Sequence, residues 1–113
     1  MVSADRRVIK RGEIWLAALD PAIGSEIQKT RPCVVISPPE LSEHLRTLIV
    51  APMTTGSRPA PFRIPVTFEG KSGLVLLDQI RTLDRQRLVK RLGAVRATTL
   101  THTLAALQDL FAD

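Results

Sequence analysis

Seven polar residues, Glu26, Arg31, Thr54, Thr55, Asp78, Gln79 and Arg81, stand where apolar runs of the chain begin or end. Side chains at the ends of buried strands are held more rigidly than ordinary loop residues. The set combines cations, hydroxyl donors and carboxylates, which is what cleavage of an RNA phosphodiester requires without a metal. A cation and hydroxyl donors can stabilise the charge of a phosphorane, and one ionisable group can help remove the 2′-hydroxyl proton. Each residue alone has a plainer reading. Arg31 can anchor a strand by pairing with Asp78, the threonines can cap a turn, and Arg81 can be a solvated cation on a sheet edge.

Other chemistries find less support. His44 lies among Glu43, Leu45 and Arg46 in a surface turn and His102 near the start of a terminal helix, so each reads as a solvated or partly packed histidine. No Cys/His/Asp cluster has metal-ligand spacing, and no glycine pattern marks a phosphate-binding loop. No metal and no cofactor are expected. Cys33 is the single cysteine and sits in an apolar strand, which excludes an intramolecular disulfide and suits a core residue of a reducing compartment.

Buried strands must position the polar set. The run from Gly12 to Leu19 is apolar on both alternating faces, as in a strand covered on both sides. Asp20-Pro21 ends it, and a loop to Thr30 feeds a second strand from Arg31 to Ser37. Pro39 suits the start of a helical turn through Glu43. A third strand, Thr47 to Met53, delivers Thr54, Thr55 and Ser57. Phe62 to Glu69 alternates as a half-exposed strand, and Glu69 to Gly73 reads as a turn. Leu74 to Leu83 reads as one strand, followed by a turn and a short strand ending near Val95. Thr98 or Thr99 can cap a helix carrying Leu100, Leu104, Leu107 and Phe111 on one face. The expected fold is mostly β with α, a small antiparallel barrel or twisted sheet closed by a C-terminal helix.

The 113 residues fit one domain, expected over residues 10–113, with residues 1–9 a mobile tail. No uncharged run approaches the roughly 20 residues of a membrane span, so a cytoplasmic protein is expected. Lys and Arg number 16 against 11 Asp and Glu, a formal net charge of +5, which favours a polyanion or an acidic protein as partner.

The segments Arg11-Gly12-Glu13-Ile14-Trp15, Asp20-Pro21, Gly24-Ser25-Glu26, Thr30-Arg31-Pro32, Val50-Ala51-Pro52-Met53-Thr54-Thr55 and Asp78-Gln79-Ile80-Arg81-Thr82-Leu83-Asp84 fall in the order and spacing of one family. In them the chain resembles the MazF/PemK/Kid toxins of bacterial type II toxin–antitoxin pairs, over about residues 10 to 112. The resemblance implies an SH3-like barrel with helices, of PemK/MazF/CcdB type, usually a homodimer. It also implies a metal-independent, sequence-specific endoribonuclease that cuts single-stranded RNA, typically mRNA, by 2′-hydroxyl attack, leaving a 2′,3′-cyclic phosphate and a 5′-hydroxyl.

Arg31 and Thr54 match the catalytic positions of MazF-type members. Kid-type members carry an arginine two positions before the aspartate of the Asp-Gln motif, where this chain has Leu76, so their Arg/Asp/His scheme does not transfer and Asp78 reads as structural. Glu26 is the available carboxylate for a general base, in a loop where a glutamate is as often a plain surface residue. Lys29, Arg58, Arg81, Arg85 and Arg87 can form a basic track for RNA, with Gln28, Thr55, Ser57 and Gln79 as hydrogen-bonding neighbours. The implied partner is an antitoxin whose disordered acidic C-terminal segment wraps the dimer. Two alternatives stand beside this reading: a non-catalytic, CcdB-like toxin that binds gyrase, and a basic β-barrel that only binds nucleic acid or an acidic peptide.

Overall fold

The computed structural model describes residues 5–113. Seven strands form one antiparallel sheet: β1 (Glu13–Ala18), β2 (Thr30–Val35), β3 (Thr47–Thr54), β4 (Arg63–Phe68), β5 (Lys71–Leu76), β6 (Arg81–Asp84) and β7 (Leu88–Ala94). Helix α1 (Pro39–His44) joins β2 to β3, and α2 (Ala97–Leu110) follows β7. The strand order is β4-β5-β3-β2-β1-β7, with β6 paired to β3.

The sheet is buried on both faces because the alternation of its central strands supplies two cores. Trp15, Ala17, Cys33, Val35, Leu48 and Val50 pack on one side with Ile9, Leu83 and Leu88. Ile14, Val34, Ile36, Ala51 and Met53 pack on the other, where Leu104 and Leu107 of α2 cover them. The two-sided apolar pattern of β1 therefore has a covering layer on each face. Burial pushes the Cys33 thiol up to about 12, so it stays a neutral core side chain.

Several elements differ from the sequence expectation. Leu74 to Leu83 is not one strand. β5 pairs Met53 with Val75 and Thr54 with Leu74, a register that would bring Asp78 opposite Val50. Arg81 is there instead, at the head of β6. The three residues of difference are Leu77–Gln79, looped out as a turn of 3-10 helix. The expected Glu69–Gly73 turn shrinks to Glu69-Gly70, both at positive φ (52° and 76°), as a two-residue hairpin requires. Lys71 to Gly73 already belong to β5.

α2 starts at Ala97, with Arg96 in the capping position and no side-chain cap. Thr101 and Thr103 instead bond back to the carbonyls of Ala97 and Thr99. Phe111 lies past the helix end and is 72% exposed, so it does not join the apolar face.

Residues 1–4 of the expected tail lie outside the described residues, while Asp5, Arg7 and Ile9 are anchored on the body, with Arg6 and Val8 exposed between them. Ile9 is in the core. Arg85, expected in a basic track, is only 7% exposed, and its guanidinium meets Asp5 and the carbonyls of Ser42 and Arg7. Arg7 also bonds Asp5 and the carbonyls of Leu88 and Arg85, with its guanidinium 5.4 Å from the Trp15 ring centroid. A buried arginine without its carboxylate would be costly, so Asp5 and Arg85 tie the N-terminal segment to the end of the sheet. Among the described residues no helix is long and apolar enough to cross a membrane.

Arg7 first and Arg85 second hold the Asp5 carboxyl well below the usual carboxylate range. That contribution to stability is complete above about pH 4, the ordinary carboxylate value, and declines as pH falls toward the lower folded-state value. Asp5→Asn is expected to cost about 2 kcal/mol at neutral pH. Urea unfolding of both proteins between pH 7 and pH 2 should show the gap narrowing at the acid end.

Candidate active site

The central feature is a ladder that stops. β2 and β3 pair through Val35 with Val50, Val34 with Ala51 and Cys33 with Pro52, and no further. Pro52 and the adjacent Pro32 have no N–H to donate. Beyond this point Met53 and Thr54 pair with β5 on the opposite edge of β3. Two residues further along each strand stand Arg31 and Thr54, which would face each other had the ladder continued. Both line the cleft of about 420 Å³ opened by the parting strands, whose apolar walls include Leu16, Pro32, Met53, Phe68 and Leu92.

Arg31 is half-buried, and its Nε donates to the Gln28 carbonyl at 3.1 Å. Among the described residues its Nη groups have no protein partner, so the outer edge of the guanidinium is open to an anion. Thr54 Oγ1 accepts the Gly56 N–H at 3.3 Å, which leaves the hydroxyl proton free to donate. Thr55 lines the same cleft. Gly73 of β5 permits this arrangement, because a Cβ there would sit 2.8 Å from the Thr54 carbonyl oxygen.

Glu26, Gln79 and Arg81 do not line the Arg31 cleft. They line a second one, about 510 Å³, with Ser25, Ile27, Pro52 and Ile80. Glu26 Oε1 accepts the Ile23 N–H of its own loop. Gln79 Oε1 accepts the Ile27 N–H at 2.8 Å, and Arg81 Nη1 donates to the Leu19 carbonyl at 3.0 Å. The loop base is closed by the Lys29 N–H on Asp20 Oδ1 at 2.8 Å and by the Leu19 N–H on the Lys29 carbonyl at 2.9 Å.

Asp78 pairs with Arg63 and not with Arg31. Arg63 Nε and Nη2 reach the two carboxylate oxygens at 3.1 and 2.9 Å, and this guanidinium holds the carboxyl below its usual range. A carboxylate clamped in this way is a weak proton acceptor, in keeping with a structural Asp78. Arg63 also donates to the Arg58 carbonyl, so it braces the Thr55–Phe62 loop. Arg58, Gln28 and Lys29 are exposed, while Ser57 is half-buried outside both clefts. Arg87 donates to the carbonyls of Ala18 and Asp20 at 3.1 and 2.6 Å, so it supports the loop start. Among the described residues no group of three or more His, Cys, Asp or Glu side chains is placed to hold a metal.

Residues 10–111 match the family of PemK-like, MazF-like toxins of type II toxin–antitoxin systems. The chain belongs to this family. Endoribonuclease PemK of Escherichia coli is 37% identical over 108 residues, spanning 90% of this chain and 81% of that protein. Endoribonuclease MazF of Staphylococcus epidermidis is 38% identical over 91 residues, spanning 75% of this chain and 76% of that protein. The crystal structure of MazF from Deinococcus radiodurans shares the fold with a TM-score of 0.82 and 28% identity, covering 92% of this chain and 96% of that one.

The toxin's Arg31 cleft contains two cations that the sequence reading left out, Lys71 of β5 and Lys90 of β7. Lys90 arrives because β7 returns beside β1, with Lys90 paired to Leu16. Its only sequence signal was an exposed position in a short strand. Lys71 was hidden by the assignment of Glu69–Gly73 to a turn.

The close approach at Gly73 gives a direct test of the architecture. Gly73→Ala must displace the end of β3, and overpacking of this kind costs about 1–3 kcal/mol. Urea unfolding should show that loss, and the Thr54 amide should shift in an NMR spectrum of the folded variant.

Proposed function

We propose that this toxin is an endoribonuclease that cleaves single-stranded RNA in the Arg31 cleft without a metal. The observation that carries the reading is the joining of Arg31 and Thr54 at the point where β3 leaves β2, in a cleft to which Lys71 and Lys90 add positive charge. The family relationship supports the same activity.

In the proposed reaction the 2′-oxygen attacks the phosphorus as its proton leaves to a base, and the bond from phosphorus to the 5′-oxygen breaks. The products are a 2′,3′-cyclic phosphate and a 5′-hydroxyl. Arg31 neutralises the scissile phosphate and the phosphorane charge, and supplies the proton to the leaving oxygen. Thr54 donates a hydrogen bond to a phosphate oxygen. Glu26 serves as base once its loop carries it across from the second cleft. Thr55, Lys29, Gln28, Arg58, Ser57 and Arg81 line the path of the flanking RNA, and Arg87 supports the loop that borders it.

The toxin acts on mRNA in the cytoplasm as a homodimer, and its antitoxin blocks the cationic cleft with an acidic C-terminal segment. The cations of the cleft, without an ion pair among the described residues, support a partner of that charge.

Loss of one transition-state donor costs on the order of 10²–10³ in rate. Arg31→Ala and Thr54→Ala should each lose at least that much in cleavage of a long RNA assayed with EDTA. Wild-type rates in either folded variant would refute the assignment, and an inert wild-type protein would refute the activity. Glu26→Gln should flatten the acid limb of the pH–rate profile, and an unchanged profile removes Glu26 from the mechanism.

A further inference from the structure

The second cleft has a chemical character of its own. Gln79 stands in its wall because the three-residue turn Leu77–Gln79 is looped out between β5 and β6. The Ile27 backbone N–H lies 2.8 Å from its Oε1. A backbone N–H only donates, so the amide must turn its oxygen to Ile27, and the NH2 group is what remains for the cleft. Arg81 beside it spends one Nη on the Leu19 carbonyl and keeps its other donors.

Three acceptors in the same wall are engaged elsewhere, while among the described residues Glu26 Oε2 and the Ser25 hydroxyl stay open on the loop side. Arg63 holds both Asp78 oxygens, and the Ile23 N–H binds Glu26 Oε1. Leu19, Ile27, Pro52 and Ile80 supply apolar surface around these donors. A cleft of about 510 Å³ with fixed donors between apolar walls suits a planar ring whose edge carries acceptors.

We infer that this cleft is a nucleobase subsite that selects a keto base, uracil or guanine, over an amino base, adenine or cytosine. Gln79 is its selecting donor and also the residue that positions the Ile23–Lys29 loop. The inference rests on the RNA-cleavage reading, since the subsite orders the strand that passes on to Arg31. The keto oxygens of uracil and guanine accept from the Gln79 NH2, whereas the exocyclic amines of adenine and cytosine present donors to it. The anchored amide cannot rotate to offer its oxygen without releasing Ile27.

Two substitutions separate the two roles. In Gln79→Glu a carboxylate oxygen still accepts the Ile27 N–H, while the outward group becomes an acceptor. In Gln79→Leu both functions are lost. Cleavage of a long RNA by wild type and both variants is mapped at the 5′ ends, and hydrogen exchange of the Ile27 amide is measured, with β2 and β3 amides as the folding control.

Wild type should favour keto bases at one position near the cut. Gln79→Glu should shift that position alone toward amino bases by about tenfold, and Gln79→Leu should flatten it. Ile27 should exchange faster in Gln79→Leu and remain protected in Gln79→Glu. A lower rate at all sites with unchanged base preference would be a charge effect only and would overturn the subsite. Equal Ile27 protection in wild type and Gln79→Leu would overturn the positioning role. No cleavage by wild type would overturn the RNA reading and the subsite with it, whereas cleavage without a keto preference would overturn the subsite alone.

Discussion

The structure depends on the end of the β2–β3 ladder at Pro52. Had the ladder run on, Pro32 would have faced Met53, and Pro32 has no N–H to give it, so the strands part where that bond cannot form. On its other edge β3 passes from β6 to β5, so Met53 and Thr54 stay in the sheet after β2 has parted. Thr54 gains its rigidity from the pairing with β5, and Arg31 from the β1 pairing that continues through Ala17. Thr54 ends β3 after the buried run Val50 to Met53, and Arg31 is the second residue of β2, ahead of the buried Cys33, Val34 and Val35.

The same exchange creates the second cleft. A strand that continued from β5 into β6 in one register would have put Asp78 flat against β3. The three-residue slip pushes Asp78 and Gln79 out as a turn, where Asp78 takes Arg63 and Gln79 takes the loop before β2. Arg63 in turn holds the Arg58 carbonyl. The loops on either side of the site are therefore tied to one short turn, which makes their positions interdependent. Motion of one bordering loop has to be transmitted through the Arg63–Asp78 and Gln79–Ile27 contacts or break them.

The legible parts of this design were local. The apolar runs of β1 to β3, the proline breaks and the hydroxyls after β3 can be read directly, and they gave the strands and placed Arg31 and Thr54 at strand ends, while the choice of these two as catalytic residues came from the family resemblance. What failed was non-local. Lys90 is ordinary until β7 is known to lie beside β1, and nothing near Lys71 separates a turn residue from the start of a strand. Arg85 reads as one more exposed cation in a basic segment, because its carboxylate is Asp5, at the far end of the chain. The break of Leu74–Leu83 into two strands was hidden for the same reason: the apolar pattern is continuous, and only the competition between two registers on β3 interrupts it. Gly73 suggested a turn, although its conformational freedom is not what is used. The missing side chain is what lets Thr54 approach.

Net charge was the coarsest of these signals, and the structure refines it. Asp5 neutralises Arg7 and Arg85, Glu13 pairs with Arg91, and Asp78 pairs with Arg63, so these acids are spent on arginines that hold elements together. Arg31, Lys71 and Lys90 have no such ion pair among the described residues, although Glu69 borders their cleft. Three cations thus converge on one concave site with apolar walls. Low-dielectric walls focus the field of such charges, which raises the local concentration of a polyanion and its rate of arrival. A surface with the same net charge spread evenly would attract RNA and an acidic peptide as well, but would not direct either to the strand ends where Arg31 and Thr54 meet.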